Sequence, residues 1–299
     1  MTAIAFIGLG VMGSPMALNL RAAGYEVRAH TRTATKAEPL RAAGGTICGS
    51  VAEAVAGASI VCLCLPDTPD VEEVLRGDGG VLESAEPGAL VIDFSTIRPD
   101  ATRELAQEAR ERGLRMIDAP VSGGQAGAEA GTLSVMVGGE SSDVAAAREV
   151  IEAVGRTVVH VGPSGAGQAV KAANQLVVAG NIQVLAEAVV MLRQQGLDLG
   201  PALDALAGGL AGSAVLTQKR ANLVERRFEP GFRIDLHDKD LRIVTDTLHE
   251  SDTTAPVASL LATLMSQAVA DGDGGLDHSA LLRGVERLNP LDESPDADR

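Results

Sequence analysis

The chain has 299 residues, room for about two domains. Its 25 basic and 40 acidic residues give a formal net charge of −15, which excludes a nucleic-acid partner, because phosphate binding needs clustered Lys and Arg. A 45 % hydrophobic content excludes wholesale disorder, 2 % aromatics exclude stacking platforms, and three cysteines make no disulfide framework and fit a reducing compartment.

In chain order, the apolar stretch Thr2–Leu20 has no basic residue before it and is interrupted by Gly8, Gly10 and Gly13, so it does not read as an export signal. Ile4–Gly8, Glu26–His30, Ser59–Leu65, Leu90–Phe94 and Arg115–Asp118 read as strands. Between them Val11–Ala23, Ser50–Ala56, Asp70–Leu75 and Asp100–Arg112 read as helices. This alternation predicts a parallel sheet covered on both faces. Cys62 and Cys64 fall on one face of a strand as small apolar residues; a zinc site would need further ligands at the right spacing. Thr132–Val137 and Thr157–Val161 are further strands, flanking a helix at Ser142–Val154. The pattern changes at Gly162-Pro163-Ser164-Gly165: from about Gly165 to Gln195 one helix of roughly 45 Å is predicted. Lys171, Asn174, Asn181, Gln183 and Glu187 make this stretch too polar for a membrane span. More helices follow, and the acidic, Pro-containing end from Pro290 is expected to be disordered. The expected fold is an α/β Rossmann-type dinucleotide-binding domain (1–162), joined by a long interdomain helix to an all-α domain (163–290), with a tail (291–299).

Five segments carry chemistry. Gly8-Leu9-Gly10-Val11-Met12-Gly13 follows a strand and opens a helix, the context that the dinucleotide fingerprint requires. Its glycines serve a tight turn, close approach of backbone to pyrophosphate, and helix–sheet packing. At the end of the second strand the chain has His30-Thr31-Arg32-Thr33 instead of a carboxylate for the ribose 2′-hydroxyl. Arg32 and Thr33, with Lys36 near, suit a 2′-phosphate; the alternative is a basic turn without selectivity. Ser122-Gly123-Gly124, just after a strand, offers backbone N–H groups and a hydroxyl to a small anion, or is a plain tight turn. On the long helix Asn174, Gln175 and Asn181 fall within about 80° of Lys171, a polar stripe on an apolar surface. Apolar surroundings tend to lower a lysine pKa, and such a lysine can protonate a carbonyl oxygen; the alternative is one that snorkels to solvent or pairs with an acid. The segment 231–240, with Arg233, His237 and Lys239, reads alone as an ordinary loop-to-helix junction.

Together the segments resemble the β-hydroxyacid dehydrogenase family over nearly the whole chain, from IAFIGLGVMGSPMALNL to DHSAL (Asp277–Leu281). DAPVSGG with GTLSVMVGG, and GAGQAVKAANQ, are specific to that family. GGLAGSAVL (Gly208–Leu216) and FEPGFRIDLHDKDL (Phe228–Leu241) resemble its tartronate semialdehyde reductase branch. The resemblance implies Lys171 as catalytic acid/base, Asn174 on substrate, and Ser122, Gly123 and Gly124 on the substrate carboxylate. It implies Thr96 touching nicotinamide and substrate, Leu65 and Pro66 lining the cofactor, and Lys239 closing the site on both. Asp238 departs from the branch pattern and is expected to alter the charge around Lys239.

The implied reaction is reduction of tartronate semialdehyde to D-glycerate by hydride transfer, with NADP(H) preferred and NAD(H) also usable, and with no metal. The alternatives are a 3-hydroxyisobutyrate dehydrogenase, another short aldehyde-acid reductase acting on glyoxylate or succinic semialdehyde, and a silent dinucleotide-binding module. An imine reductase is disfavoured, because such relatives lack a lysine at the position of Lys171. The expected partners are a small carboxylate substrate and further copies of the chain, as a dimer or tetramer, with no nucleic acid and no membrane. The expected location is the cytoplasm.

Overall fold

The computed structural model describes residues 2–290; the expected disordered tail 291–299 lies outside them. Among the described residues nine strands form one sheet: β1 (Ala3–Ile7), β2 (Glu26–His30), β3 (Thr46–Ile47), β4 (Ile60–Leu63), β5 (Leu90–Asp93), β6 (Arg115–Asp118), β7 (Val121–Ser122), β8 (Leu133–Gly138) and β9 (Gly155–Gly162). Their order is 3-2-1-4-5-6-8-7, with β9 paired to β8. β1 to β6 run parallel, whereas β8 is antiparallel to β6 and β7. The order reverses between β1 and β4, the position at which open α/β sheets bind ligands beyond their carboxyl strand ends.

Strand alternation builds two core layers. Ile4 and Phe6 of β1, Cys62 of β4, Leu90 and Ile92 of β5 and Ile117 of β6 pack on one face. Ala5, Ile7, Val61, Leu63, Val91 and Met116 pack on the other. Burial on both faces is why these strands read as continuous apolar runs. Met16, Ala17 and Leu20 of the helix Gly13–Ala22 cover the first face, and Leu105, Ala106 and Ala109 of the helix Pro99–Glu111 cover the second. Cys62 and Cys64 share the first layer, and burial pushes the Cys64 thiol up to about 12, so neither is a reactive thiolate.

Some elements differ from expectation. The two-residue strands β3 and β7, and the short helices Glu38–Ala42, Val81–Ser84 and Gly124–Glu129, were too brief to show periodicity. The strand expected to end at Leu65 ends at Leu63, because the Leu65 N–H leaves the ladder and donates to Ser95 Oγ at 2.9 Å.

The chain divides into two compact units between Ala172 and Ala173. The long helix, Ala166–Gln194, therefore contributes its first two turns to the first unit and the rest to the second. By length and composition it is able to cross a membrane, but Gln168, Lys171, Gln175 and Gln183 along it are all buried within the protein. The described part of the second unit is helical, built on Ala214–Glu225, Ile234–Glu250, Pro256–Ala268 and Leu281–Leu288. Leu185, Val189, Leu203, Leu216, Leu223 and Leu282 centre its core.

Candidate active site

The parallel strands end at one edge of the sheet, and that edge gathers the residues singled out in the first unit. Gly8–Gly13 follows β1, Thr31–Thr33 follows β2, Leu65 and Pro66 follow β4, Thr96 follows β5, and Ser122–Gly124 follows β6.

The fingerprint turn is fastened by the Gly8 N–H, which donates to His30 O at 3.0 Å. At Gly8, φ is +100° and a Cβ would lie 2.3 Å from Cys64 O; at Gly13 it would lie 2.0 Å from Gly8 O. These positions accept glycine alone. Gly10, between them, faces open space with nothing within 4 Å of a would-be Cβ. No side chain caps the helix that begins at Gly13. An open cradle beside an uncapped helix N-terminus fits a dinucleotide pyrophosphate.

Arg32 is 78 % exposed at its side chain, and its Nη2 lies 2.7 Å from Asp70 Oδ1, in the helix Thr68–Arg76. The candidate 2′-phosphate ligand is thus already paired with a carboxylate. Thr33 and Lys36 are exposed beside it. Leu65 is tied to the next strand end through Ser95 Oγ, and the Ser95 N–H donates to Asp93 Oδ1 at 2.9 Å. The Arg98 N–H donates to Thr68 Oγ1 at 3.1 Å and closes the turn that carries Thr96. In the Ser122–Gly124 turn Gly123 has φ +138° and Gly124 φ +66°, conformations that L side chains rarely adopt.

Lys171 is 6 % exposed. Its helix is rooted in the same unit by Asp118, at the end of β6: the Gly165 N–H donates to Oδ1 at 2.8 Å and the Gln168 N–H to Oδ2 at 2.9 Å. Burial pushes the Asp118 carboxyl above the usual carboxylate range, and these backbone N–H groups oppose the shift.

In the second unit Asn174 Nδ2 donates to Gln175 Oε1 at 2.8 Å, and Gln175 Nε2 donates to Asp240 Oδ2. Lys239, 7 % exposed, places Nζ 2.8 Å from Asp240 Oδ1. Asp238, expected to alter the charge around Lys239, is engaged by Arg242 one turn on and by Ser266 Oγ at 2.6 Å. The carboxylate on the lysine is Asp240.

Buried histidines lie behind this cluster. His237 Nε2 is 3.1 Å from Gln175 O, and a carbonyl only accepts, so Nε2 carries a proton. His237 Nδ1 and His278 Nδ1 share a hydrogen bond at 3.1 Å. Neighbouring Asp277 is fully buried, which alone would raise its pKa. The His278 charge, the Lys219 ammonium at 2.8 Å and Ser279 outweigh burial and bring it down to about 2.

Sequence reasoning had no role for Asp118, Gln168, Asp240 and the His237–His278 pair. Gln168 left a positional signal, three residues before Lys171 on the same helix face, and Asp118, His237 and Asp240 lie within the family motifs DAPVSGG and FEPGFRIDLHDKDL.

A model of the NAD-binding domain of 6-phosphogluconate dehydrogenase matches residues 3–162, and one of the NAD-binding region of NADP-dependent 3-hydroxyisobutyrate dehydrogenase matches residues 165–285. The chain is 37 % identical to the 2-hydroxy-3-oxopropionate reductase of Escherichia coli, over 95 % of this chain and 97 % of that protein. It is 38 % identical to the NAD-dependent L-serine dehydrogenase of Pseudomonas aeruginosa, over 95 % and 97 %. Among solved structures, 3-hydroxyisobutyrate dehydrogenase of Mycobacterium tuberculosis with L-serine superposes with a TM-score of 0.87 at 36 % identity, over 95 % of this chain and 99 % of that one.

Proposed function

This chain belongs to the β-hydroxyacid dehydrogenases of the 3-hydroxyisobutyrate dehydrogenase type, and from that premise we propose that it reduces tartronate semialdehyde to D-glycerate with NADPH as the preferred cofactor. It is an NAD(P)-binding oxidoreductase that acts on CH–OH groups. The observation that carries the reading is Lys171, an ammonium group 6 % exposed on a helix rooted at the strand edge that holds the dinucleotide fingerprint. The 37 % identity to a reductase of this substrate supports the choice of acid.

Bound NADPH supplies the hydride to the carbonyl carbon. Lys171 holds a proton at Nζ and delivers it to the carbonyl oxygen, and takes it back in the oxidative direction. The Ser122 hydroxyl and the amides of Gly123 and Gly124 hold the substrate carboxylate. Asn174 bonds the 2-hydroxyl, Thr96 orients nicotinamide and substrate, and Lys239 closes the site. Arg32 and Thr33 hold the 2′-phosphate, and Leu65 and Pro66 line the cofactor. The cysteines are buried or half-buried free thiols, and we place the enzyme in the reducing cytoplasm.

We assign a second copy of the chain to the outer face of the long helix. Val170, Val177, Val184 and Met191 recur there every seven residues, each 40–61 % exposed. This spacing suits pairing with another helix, and an identical stripe is its natural complement. A Val177→Lys/Val184→Lys variant should elute at lower mass by light scattering; an unchanged mass refutes the assignment.

A second reading has its own support in the 38 % identity to the L-serine dehydrogenase. The test is kcat/KM for tartronate semialdehyde, methylmalonate semialdehyde and glyceraldehyde with each cofactor, and for L-serine oxidation. Tartronate semialdehyde should win. Neutral glyceraldehyde should fall behind by about five- to a hundredfold, because it leaves anion donors unpaired at roughly 1–3 kcal/mol. A win for the methyl-bearing acid moves the enzyme to the hydroxyisobutyrate branch, and a win for L-serine supports the second reading. Arg32→Ala should lower kcat/KM with NADPH by about tenfold or more and spare NADH; an equal loss on both refutes the selectivity.

A further inference from the structure

Thr96 is half-buried between two buried neighbours, and one side chain grips both. Gln168 Oε1 accepts from the Ile97 N–H at 3.2 Å, and its Nε2 donates to Ser95 O at 2.9 Å. Gln168 is 1 % exposed, so both bonds form out of water. The gripped turn reaches onward to the neighbouring strand end, where Ser95 Oγ accepts from the Leu65 N–H at 2.9 Å. The gripping side chain is itself fixed along the helix axis. Its own N–H donates to Asp118 Oδ2 at 2.9 Å, and a Cβ at the preceding Gly167 would lie 2.3 Å from Met136 O. Lys171 follows three residues later, one turn up the same face. All these groups belong to the first unit.

We propose that Gln168 is a positioning residue for the reaction: it locks the Thr96 turn, and through Ser95 the end of β4, in register with the helix that carries Lys171. The assignment rests on the reading of Thr96 and Lys171 as reaction-site residues. The task calls for an amide, because a backbone N–H and a backbone C=O flanking one residue need an acceptor and a donor from one short fork. A carboxylate supplies only the acceptor, and an alkyl group supplies neither. Without the fork the Ile97 N–H and Ser95 C=O are left unsatisfied in a buried place, and the turn moves to find partners. The dinucleotide phosphates are held elsewhere, at Gly8–Gly13, so a shifted Thr96 turn harms geometry at the reacting end more than it harms cofactor binding. A misplacement of about 1 Å at reacting atoms costs on the order of 10²-fold in rate.

The test compares Gln168→Leu, which keeps the volume and removes the fork, with Gln168→Glu, which keeps only the acceptor. In cofactor-free protein the Ile97 amide should exchange with deuterium about tenfold faster or more in Gln168→Leu, while the Ala5 and Ile7 amides of β1 keep their protection. Gln168→Glu should largely retain Ile97 protection. In both variants the NADPH dissociation constant should stay within about threefold of wild type. In Gln168→Leu kcat should fall by about ten- to a hundredfold, with a larger primary isotope effect from NADPH deuterated at nicotinamide C4. Turnover is read with whichever acid of the panel above the wild type handles fastest, so a wrong substrate leaves this test intact. Unchanged Ile97 exchange in Gln168→Leu overturns the proposal. So does a kcat within about twofold of wild type, or a parallel loss of NADPH affinity and of β1 protection in both variants. Failure of both variants to fold makes Gln168 a structural residue and overturns it too.

Discussion

Asp118 and Asp277 are both fully buried carboxylates, one in each unit, and they settle in opposite directions. Asp118 is held by the backbone N–H groups of Gly165 and Gln168, and burial raises its pKa. Asp277 takes the Lys219 ammonium at 2.8 Å, the N–H groups of Gly231 and Phe232, and Ser279, beside the His278 charge; its pKa falls to about 2. Both are closed to solvent and burial raises both, so what differs is the partners. Amide dipoles offset part of the desolvation, whereas nearby full charges exceed it. The outcomes suit the tasks: Asp118 roots the helix that carries Lys171, and Asp277 pins the helix Ala214–Glu225 to the turn before Ile234–Glu250.

The largest expected effect separates the two regions by chemistry. Lys171→Ala, on the helix that Asp118 roots, should lower kcat by about 10²–10⁴-fold with NADPH affinity near wild type. A near-normal kcat in steady-state assays would sink the role given to Lys171. Stability should separate the two carboxylates next. Asp277→Asn leaves the Lys219 ammonium, 16 % exposed, without its buried counter-charge and should cost about 3–5 kcal/mol in urea unfolding. Asp118→Asn turns one of the two accepting oxygens into an NH2 group that faces a backbone N–H, but it also removes a buried charge, so it should cost less, about 1–3 kcal/mol. Equal losses would mean that the partners' charge is irrelevant.

The pH dependence follows with opposite signs. The native Asp277 carboxyl lies near 2 against an ordinary 3.8, so its contribution, about 2 kcal/mol, is present above pH 3.8 and lost as pH falls through about 2. The raised Asp118 carboxyl acts the other way: what it contributes is present below its ordinary value and lost as pH rises through its native one. The stability gap between wild type and Asp277→Asn should therefore narrow in acid, and a gap that stays constant from pH 5 to pH 2 refutes the assigned cause. The smallest effect belongs to a third carboxylate, exposed Asp70 on Arg32. Such a pair is worth about 0–1 kcal/mol. Asp70→Asn should raise the NADPH-over-NADH preference in kcat/KM by up to about fivefold, because it frees Arg32 and removes a charge that repels a 2′-phosphate. A lowered preference would show that Asp70 orients Arg32 for the phosphate.

Local spacing along the chain was enough to reveal the elements whose signal lies among near neighbours. The apolar runs of β1, β4, β5 and β6 announced a sheet buried on both faces, and the Gly8–Gly13 spacing announced a dinucleotide turn, because a strand, a turn and a helix start fit within about fifteen residues. Lys171 and Asn174 stood out for the same reason, as polar positions on one apolar helix. Tertiary structure alone decided which polar groups meet. Gln168 grips a turn some seventy residues earlier in the chain, and Asp118 roots a helix start about fifty residues later. Asp238 and Asp240 flank Lys239 equally in sequence, and no local rule chooses between them. The choice follows from neighbours distant in sequence: Ser266 joins Arg242 on the first, and Gln175 holds the second in place for the lysine. Periodicity records which face of an element is buried, but a hydrogen bond or ion pair depends on what the rest of the chain brings to that face.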